Sequence, residues 1–198
     1  MTTCTTPASA MPDPVFRLMY WIEEREAILH RKDSYDPKPW TEDKVFQSFS
    51  FCNVEREDDR VTKWIKANWR DPNYEDSRAW FTMAVARLIN WPETLAEIGY
   101  PNPWNPNRVL KVMDLRRERG DKVFTGAYVV TNAGGSGRKT ATIVGLLDNL
   151  SKLKGHPVRG DTLASAHRKL TAARQSGMGS FMAAQVVADC KHMRLLRG

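Results

Sequence analysis

The sequence predicts an all-α (mainly α) fold. Apolar residues recur at the three- and four-residue spacing of a helix face along most of the chain, as at Val61, Trp64 and Ile65. Such patterns stop at helix-ending residues, for example Pro92. Only residues 123–130 resemble a strand, and that stretch is equally consistent with an extended segment packed on helices.

The predicted helices each begin at a recognisable start signal. Pro14 suits a first turn, Thr41 is a candidate N-cap followed by acids, and Asp161 or Thr162 caps a later helix. The predicted helices cover residues 14–31, two segments between 41 and 65 that join near 51–53, then 78–91, 93–98, 106–119, 139–153 and 161–175, and a last one that follows 177–179.

Composition indicates one domain over residues 13–198, preceded by a disordered tail of Thr, Ser, Ala and Pro at residues 1–12. The tail lacks the basic and apolar regions of a secretory signal, and no stretch is apolar for long enough to cross a membrane. Three cysteines in no metal-binding pattern indicate free thiols in a reducing compartment. We therefore expect a cytoplasmic protein without metal or cofactor.

Charge is distributed unevenly along the chain. Residues 1–107 contain 13 Lys and Arg against 17 Asp and Glu, whereas residues 108–198 contain 17 against 6. A basic half of this kind predicts a surface that faces a polyanion, and DNA is the natural candidate. The alternative is a generally basic protein with weak, non-specific affinity for nucleic acid. Arg25 and Arg31 in the first helix are further candidates for phosphate contact.

Asn53, Arg56, Asp58 and Asp59 form a polar cluster between two aromatic-rich stretches. One interpretation is a solvated face with ordinary ion pairs between neighbouring turns. The other is a set of polar groups held against an apolar wall, where a carboxylate can be tuned for chemistry or for binding a ligand.

Residues 177–179, Gly-Met-Gly, form a glycine corner between an amphipathic helix and an alanine-rich one. This is the pattern of a helix–hairpin–helix, in which glycines allow positive φ and backbone amides at the helix N-terminus hold a DNA phosphate. Arg174 and Lys191 flank the corner. The alternative is an ordinary packing corner between two helices.

A glycine-rich loop at residues 134–140 resembles a nucleotide-binding P-loop but lacks its pattern. The Walker motif needs glycine at the positions that Arg138 and Ala133 occupy. We therefore expect a basic loop that contacts phosphate at most, without kinase chemistry.

The block PWTEDKVFQSFSFCNVEREDDRVTKWI, residues 39–65, resembles the signature of a family of phage thymine-hypermodification proteins. These are the helical domains of 5-hydroxymethyldeoxyuridine DNA kinases and the related α-glutamyl/putrescinyl-thymine pyrophosphorylases. The resemblance continues through residues 80–101, 123–128 and 177–189. It implies a helix–hairpin–helix fold like that of DNA glycosylases, which extrude a base from the duplex. It also implies further helices after the hairpin, so we expect a C-terminally shortened member.

By implication of the resemblance, the substrate is DNA with a pyrophosphorylated 5-hydroxymethyluracil base, and an amine or amino acid displaces the pyrophosphate. Asp59 or Asp58 would serve as general base, Arg56 would bind the leaving group and Asn53 would read the base edge. The remaining implied positions are a second carboxylate at Asp189, substrate-binding Tyr128, Gly126 and Trp91, and DNA-binding Gly177, Gly179, Ser180, Arg174 and Lys191. Tyr128 has an alternative interpretation as a core residue, and a Trp beside a proline at a helix end, such as Trp91, is more often part of the core.

The polar cluster and the glycine corner are expected to face one cleft, the first for an everted nucleotide and the second for its strand. An alternative of a different class is a non-catalytic DNA-binding module that partners a separate kinase or transferase. A third is a helical scaffold whose charge serves solubility or a protein partner.

Overall fold

The computed structural model describes residues 13–49, 51–126, 138–172, 174 and 177–197. Within those ranges the chain forms nine α-helices and two two-residue strands, so the predicted all-α fold is confirmed. The predicted tail at residues 1–12 lies outside the described residues. Most of the strand-like run does too, and its described part, residues 123–126, contains no strand.

The chain divides into two compact units, Met1–Lys63 and Trp64–Gly198. The single domain expected over residues 13–198 stays a prediction. No helix in the described ranges is both long and apolar enough to span a membrane.

The first unit is built on the long helix α1, Pro14–Asp33. It starts as predicted, because Pro14 needs no hydrogen-bond partner in the first turn and the Asp13 carboxylate accepts from the Val15 amide at 2.9 Å. It ends with basic residues in its last turn, where they complement the helix dipole. After α1 come the short helix α2, Lys44–Ser48, and a 3-10 turn, Arg56–Asp58.

The N-cap of α2 differs from the prediction. Asp43 caps this helix, with its carboxylate accepting from the amides of Val45 at 2.8 Å and Phe46 at 3.4 Å. Thr41, the predicted cap, instead accepts from the Asp43 amide at 3.0 Å. The prediction of Thr41 as the cap was wrong because the helix begins at Lys44, so that Asp43 is the residue placed to accept from the first free amides.

Helix α3, Arg60–Ile65, is followed by a π-helical turn, Lys66–Arg70. The second unit then contains α4, Ala79–Ile89; α5, Pro92–Ile98; α6, Pro106–Glu118; α7, Lys139–Ser151; α8, Leu163–Ala172; and α9, Ser180–Cys190. Strands β1, Asp161–Thr162, and β2, Leu196–Arg197, pair in parallel.

Helix α4 is the centre of the second unit. All eleven of its residues are buried, and it packs against α5, α7 and α9. A helix that is apolar on nearly every side is stable only when neighbours cover it all round. Its end is set by Asn90, which takes a left-handed conformation with φ of 48°, and by Pro92, which opens α5.

One buried ion pair ties α4 to α9. Arg87 donates from Nε and Nη2 to the two carboxylate oxygens of Asp189 at 2.6 and 2.7 Å. The side chains are 2% and 0% exposed. Two parallel charge-assisted hydrogen bonds fix both the distance and the rotation between the two helices.

Candidate functional site

The first unit contains a cavity of about 690 Å³. Its walls come from α1, the loop that leads to α2, α2 itself and the segment that follows it. Two kinds of side chain dominate the lining: the cations Arg25, Lys32 and Lys38, and the aromatic rings Trp40, Phe46, Phe49 and Phe51. We call it the aromatic–basic cavity.

An aromatic cluster forms much of the cavity wall. The Phe51 ring centroid lies 5.0 Å from that of Phe46, 6.4 Å from that of Phe49 and 6.3 Å from that of Trp21. The Phe46 ring also meets Tyr20 edge-on at 6.3 Å. Tilted and edge-to-face contacts at these distances hold the rings in defined orientations.

Arg25 fixes the segment after α2 against α1. Its guanidinium donates to the carbonyls of Phe51 at 2.9 Å and Cys52 at 3.1 Å, and to Asn53 Oδ1 at 3.4 Å. Arg25 therefore positions the cavity wall. The three oxygens accept from Nε and Nη2 of the guanidinium.

The loop between α1 and α2 is held at Trp40. Its indole N–H donates to the Asp36 carbonyl at 2.8 Å, and its own carbonyl accepts from Arg31. Lys38 places its ammonium 4.7 Å from the centre of the Trp40 ring. The ring and the cation thus stand together at the cavity as a cation–π pair.

Tyr20 and Asp43 support α2 from behind this wall. The Tyr20 hydroxyl donates to Asp43 Oδ2 at 2.8 Å. Burial, together with this hydrogen bond to a carboxylate, raises the pKa of Tyr20 to about 12. The same carboxylate caps α2, so one side chain links α1 to the start of the short helix.

The polar cluster lies in the 3-10 turn and at the start of α3. Asn53 donates from Nδ2 to the Asp58 carbonyl at 2.8 Å, and Lys63 Nζ lies 3.2 Å from Asp58 Oδ1. The exposed Asp59 accepts at Oδ2 from the Thr62 amide at 2.8 Å and from the Thr62 hydroxyl at 3.0 Å. Its carboxylate therefore acts as the cap of α3.

These contacts bring Asn53 and Asp58 together. Asp59 and the half-buried Arg56 are their neighbours in the sequence. The hydrogen bond to Asp58 raises the pKa of Lys63, so the ammonium remains charged over the neutral range. Asn53 keeps one N–H and one lone pair for a ligand, since a carboxamide offers two of each. The catalytic roles of the four residues stay predictions.

The glycine corner joins α8 to α9 in the second unit. Gly177 has φ of +79°, and a Cβ placed there would lie 3.2 Å from Leu146 Cδ1. Gly179 is the N-cap of α9, and a Cβ there would meet nothing within 4 Å. Ser180 opens the helix, with His167 Nε2 at 3.0 Å from its carbonyl oxygen. The helix–hairpin–helix interpretation stays a prediction.

The other two predicted DNA contacts precede and follow α9. Arg174 is exposed just before the corner and has φ of 45°. Lys191 follows the last residue of α9, so about 18 Å of helix separates it from Gly179. The structure therefore brings Arg174 near the corner along the chain but places Lys191 at the opposite end of α9.

The remaining predicted site residues also lie in the second unit. Asp189 is fully buried and bound by Arg87, as described above. Trp91 is half-buried between α4 and α5, with Lys122 Nζ 4.1 Å from its ring centre. Gly126 is exposed, and Tyr128 lies outside the described residues. The common cleft expected for polar cluster and glycine corner stays a prediction.

Comparison with known families gives a match over most of the chain. The family model described as "5-hmdU DNA kinase, helical domain" matches residues 13–197, which include the aromatic–basic cavity, the polar cluster and the glycine corner. This chain belongs to the 5-hmdU DNA kinase helical-domain family. The resemblance drawn from residues 39–65 is confirmed.

One relative of this helical domain is the 5-hmdU DNA kinase of Bacillus phage SP10. It is 35% identical over an alignment of 128 positions, and the alignment covers 58% of this chain and 20% of the relative. The chain therefore spans about a fifth of the length of that relative. No solved structure matches the helical domain.

Sequence reasoning missed the part of this helical domain that forms the cavity. It named Arg25, but not Lys32, Lys38 or the aromatic rings as one lining. A usable signal existed, because four aromatic residues fall within residues 40–51 and the three cations of the lining lie in or shortly after α1. The sequence does not show which residues of α1 lie opposite residues 40–51. Only the fold supplies that alignment.

Two cysteines, Cys52 and Cys190, lie in the described ranges. There, no group of His, Cys, Asp and Glu side chains is arranged to hold a metal ion. Cys190 is buried in α9, and burial raises the pKa of its thiol well above the usual value. Cys52 is exposed. Both are free thiols, as the sequence predicted for them.

Proposed function

We propose that this helical domain binds DNA containing a 5-hydroxymethyluracil-derived base and takes part in thymine hypermodification. Family membership over residues 13–197 supports a role close to that of the phage 5-hmdU DNA kinase. The observation that carries the proposal is the aromatic–basic cavity within the matched region. The proposed setting is the cytoplasm of a phage-infected or prophage-carrying bacterium.

The cavity has the composition that an extruded base requires. Aromatic rings offer faces on which a base stacks, and cations beside them attract the phosphates on either side. Phe49 is 65% exposed, although a large apolar side chain is normally covered by its own fold. An exposed ring at the edge of a cavity is suited to stacking on a ligand.

The second unit supports a contact with the DNA strand. Residues 108–198 carry the excess of basic side chains, and the amide-bearing start of α9 follows the glycine corner. In this proposal the corner and Arg174 bind backbone phosphate, which positions the strand without reading its sequence.

The test is the affinity of the protein for duplexes that differ in one base, thymine or 5-hydroxymethyluracil. We expect tighter binding of the modified duplex by the natural protein. Phe49→Ala should weaken that binding about 5- to 150-fold, since stacking contributes roughly 1–3 kcal/mol per base. The matched control is Val45→Ala. Val45 is an exposed apolar residue of α2 outside the cavity lining, so its replacement should leave the affinity for both duplexes unchanged.

Equal affinity of Phe49→Ala and the natural protein for the modified duplex would contradict the assignment of the base to this cavity. Failure of the natural protein to bind duplex or single-stranded DNA at low salt would contradict DNA recognition itself. That result would favour the scaffold interpretation.

A second candidate function is catalytic, namely displacement of pyrophosphate from the base by an amine or amino acid. The observation that favours it is the grouping of Asn53, Arg56, Asp58 and Asp59 within seven residues. The C–O bond to pyrophosphate breaks and its electron pair leaves with the anion, which Arg56 would bind. The amine nitrogen bonds to the exposed methylene carbon and gives its proton to Asp59 or Asp58.

Asp59→Asn separates this enzyme from a non-catalytic module that partners a kinase or transferase. Asparagine also caps helices, so the substitution should leave α3 intact and remove only the carboxylate that would serve as general base. In the catalytic case, DNA binding stays normal and mass spectrometry of nucleosides from pyrophosphorylated substrate shows no amine adduct. If the natural protein also leaves that substrate unchanged with a mixture of amines, the module is favoured.

A further inference from the structure

The N-terminal half of α1 leaves an apolar face exposed. Val15, Leu18 and Met19 recur at the spacing of one helix side, and they are 65%, 57% and 48% exposed. Phe16, beside them, is 65% exposed, whereas Ile22 at the next turn is half-buried. Exposure therefore falls towards the middle of the helix, where the rest of the first unit begins to cover it. Adjoining apolar side chains of this kind mark an interaction surface. We call residues 15, 16, 18 and 19 the α1 patch.

The first unit has few buried side chains of its own. In residues 13–49 and 51–63 only Ile28, Thr41 and Thr62 are buried, whereas every residue of α4 in the second unit is buried. An element that packed on the α1 patch would remove from water apolar side chains that this unit leaves exposed, which is favourable.

The face that carries the α1 patch becomes acidic further along the helix. It continues at alternating four- and three-residue spacings through Glu26, Leu29 and Asp33. At its far end α3 supplies a cation, since Lys63 Nζ lies 3.6 Å from Asp33 Oδ2. Glu26 differs, because its Oε1 is buried and has no hydrogen-bond partner among the residues that the structure describes. The carboxylate nearest the patch thus lacks the donor that its counterpart at the end of the helix has.

The α1 patch has no basic side chain beside it on α1. Arg17 is the one Lys or Arg in residues 13–24, and it lies about 160° round the helix axis from both Val15 and Met19. Glu23 follows the patch and is exposed. Residues 13–63 as a whole contain 9 Lys and Arg against 12 Asp and Glu. This charge disfavours a polyanion such as DNA on the patch and favours a basic partner.

The same charges argue against a second copy of this face as the partner. Packing two α1 patches together would cover the apolar side chains of both. It would supply no cation to Glu26, because Arg17 of each copy lies on the opposite side of its helix. The buried oxygen of Glu26 would remain without a donor.

We infer that the N-terminal half of α1 is a docking surface for a protein partner that presents an amphipathic helix with basic flanks. The apolar side of that helix covers Val15, Leu18 and Met19. A lysine or arginine on its flank pairs with Glu23 and donates to the Glu26 carboxylate. Residues 15–26 span about 17 Å, so three to four turns of partner helix suffice. This contact goes beyond the proposed function, since it requires no DNA.

Two synthetic peptides of about 18 residues test the chemistry of the partner. Both have leucines along one helix side; one has lysines on the flanks and the other has glutamates. We expect the natural full-length chain to bind the lysine peptide at least about tenfold more tightly than the glutamate peptide, as measured by isothermal titration calorimetry.

Two double variants separate the apolar and the charged parts of the contact. Leu18→Ser/Met19→Ser should weaken binding of the lysine peptide by about tenfold or more, because it removes exposed apolar surface that the peptide covers. Glu23→Gln/Glu26→Gln should reduce the preference for lysine over glutamate to about threefold or less, because it removes both carboxylates. Thermal unfolding of each variant establishes that the fold is retained.

The matched controls change the same residue types away from the face. Val158→Ser replaces an apolar side chain of the second unit that is 48% exposed. Glu42→Gln removes an exposed carboxylate of the first unit outside α1. Both controls should bind the lysine peptide as the natural protein does.

Methyl NMR locates the bound peptide. With methionine methyl groups labelled, the Met19 resonance should shift when the lysine peptide is added. The resonance of Met83, which is fully buried in α4, should not shift. A peptide that shifts other methionines and leaves Met19 unchanged would overturn the assignment to α1.

The remaining outcomes each contradict the inference in a different way. Failure of both peptides to bind would mean that the α1 patch is not a docking surface for a helix. Equal binding of the two peptides would remove the requirement for a basic partner. A dimer in sedimentation velocity that Leu18→Ser/Met19→Ser abolishes would assign the patch to a second copy. Weaker DNA binding by the same variant would assign it to DNA.

Discussion

Asp189 stabilises the fold through its ion pair with Arg87, although its position near the glycine corner suggests a catalytic role. Asp189 follows the glycine corner by ten residues and was a candidate for a second catalytic carboxylate. In the structure both of its oxygens accept from Arg87, and neither side chain is open to water. A charge buried to this extent depends on its partner, because desolvation of an unpaired ion is costly.

We therefore predict that Asp189→Asn destabilises the second unit by about 3–5 kcal/mol, since it leaves the Arg87 guanidinium buried without its counter-ion. Chemical denaturation measures the change. The double variant Arg87→Met/Asp189→Leu should lose much less than the two single variants together, because it removes both charges. A catalytic Asp189 would instead give a stable Asp189→Asn protein that lacks activity.

The control for this prediction is the exposed carboxylate of Glu75, which lies 2.6 Å from both Arg159 and Arg194. These arginines lower the pKa of Glu75, but water screens such pairs. Glu75→Gln should leave the unfolding curve nearly unchanged.

At the scale of elements, the glycine corner is where backbone conformation matters most. Gly177 needs glycine for two reasons: its φ is +79°, and a Cβ would press on Leu146. Gly179 has neither constraint, because its φ is −71° and the space beside it is open. The two glycines of one motif thus have different physical roles.

We predict that Gly177→Ala lowers the free energy of unfolding by about 1–3 kcal/mol, through the positive φ and the contact with Leu146. Gly179→Ala is the matched control and should have little effect on unfolding. If Gly179 is where a DNA phosphate approaches the α9 amides, the same control variant should weaken DNA binding without a loss of stability. Equal destabilisation by the two substitutions would contradict this division of roles.

Local signals were enough to predict most helices. Pro14 and Pro92 mark real helix boundaries, and the apolar run of α4 predicts a buried helix. The polar cluster and the glycine corner were also visible as motifs. Features that depend on pairs distant in sequence were not predicted: Arg87 and Asp189 are 102 residues apart, and the strand pair β1–β2 has two residues on each side. Neither leaves a periodic pattern to detect.

At the scale of the whole molecule, the uneven distribution of charge along the chain can be read directly from the sequence. Several of the few acids after residue 107 are already paired with basic neighbours: Asp114 with Arg138, Asp148 with Lys152 and Asp161 with Lys169. Each of these ion pairs neutralises one basic side chain. Because 17 basic residues face only 6 acids in this stretch, the excess remains for an external anion.

We predict that DNA affinity falls steeply with salt, because each phosphate contact releases a condensed counter-ion. The variant Arg174→Asn/Lys191→Gln should reduce the slope of log affinity against log salt by about 0.9 for each residue that contacts phosphate. Asparagine suits position 174, where φ is 45°. A change of about 1.8 would assign both residues to the interface, and about 0.9 would fit the separation of Lys191 from the corner.

The matched control for the salt series is Arg119→Gln, since Arg119 is exposed but already paired with Glu97 and Asp121. Its removal should leave the slope unchanged, because a neutralised guanidinium displaces no counter-ion from DNA. A slope that falls equally in the control and in the test variant would mean that net charge alone governs binding. In that case the second unit would act as a diffuse basic surface, without a phosphate site at the glycine corner.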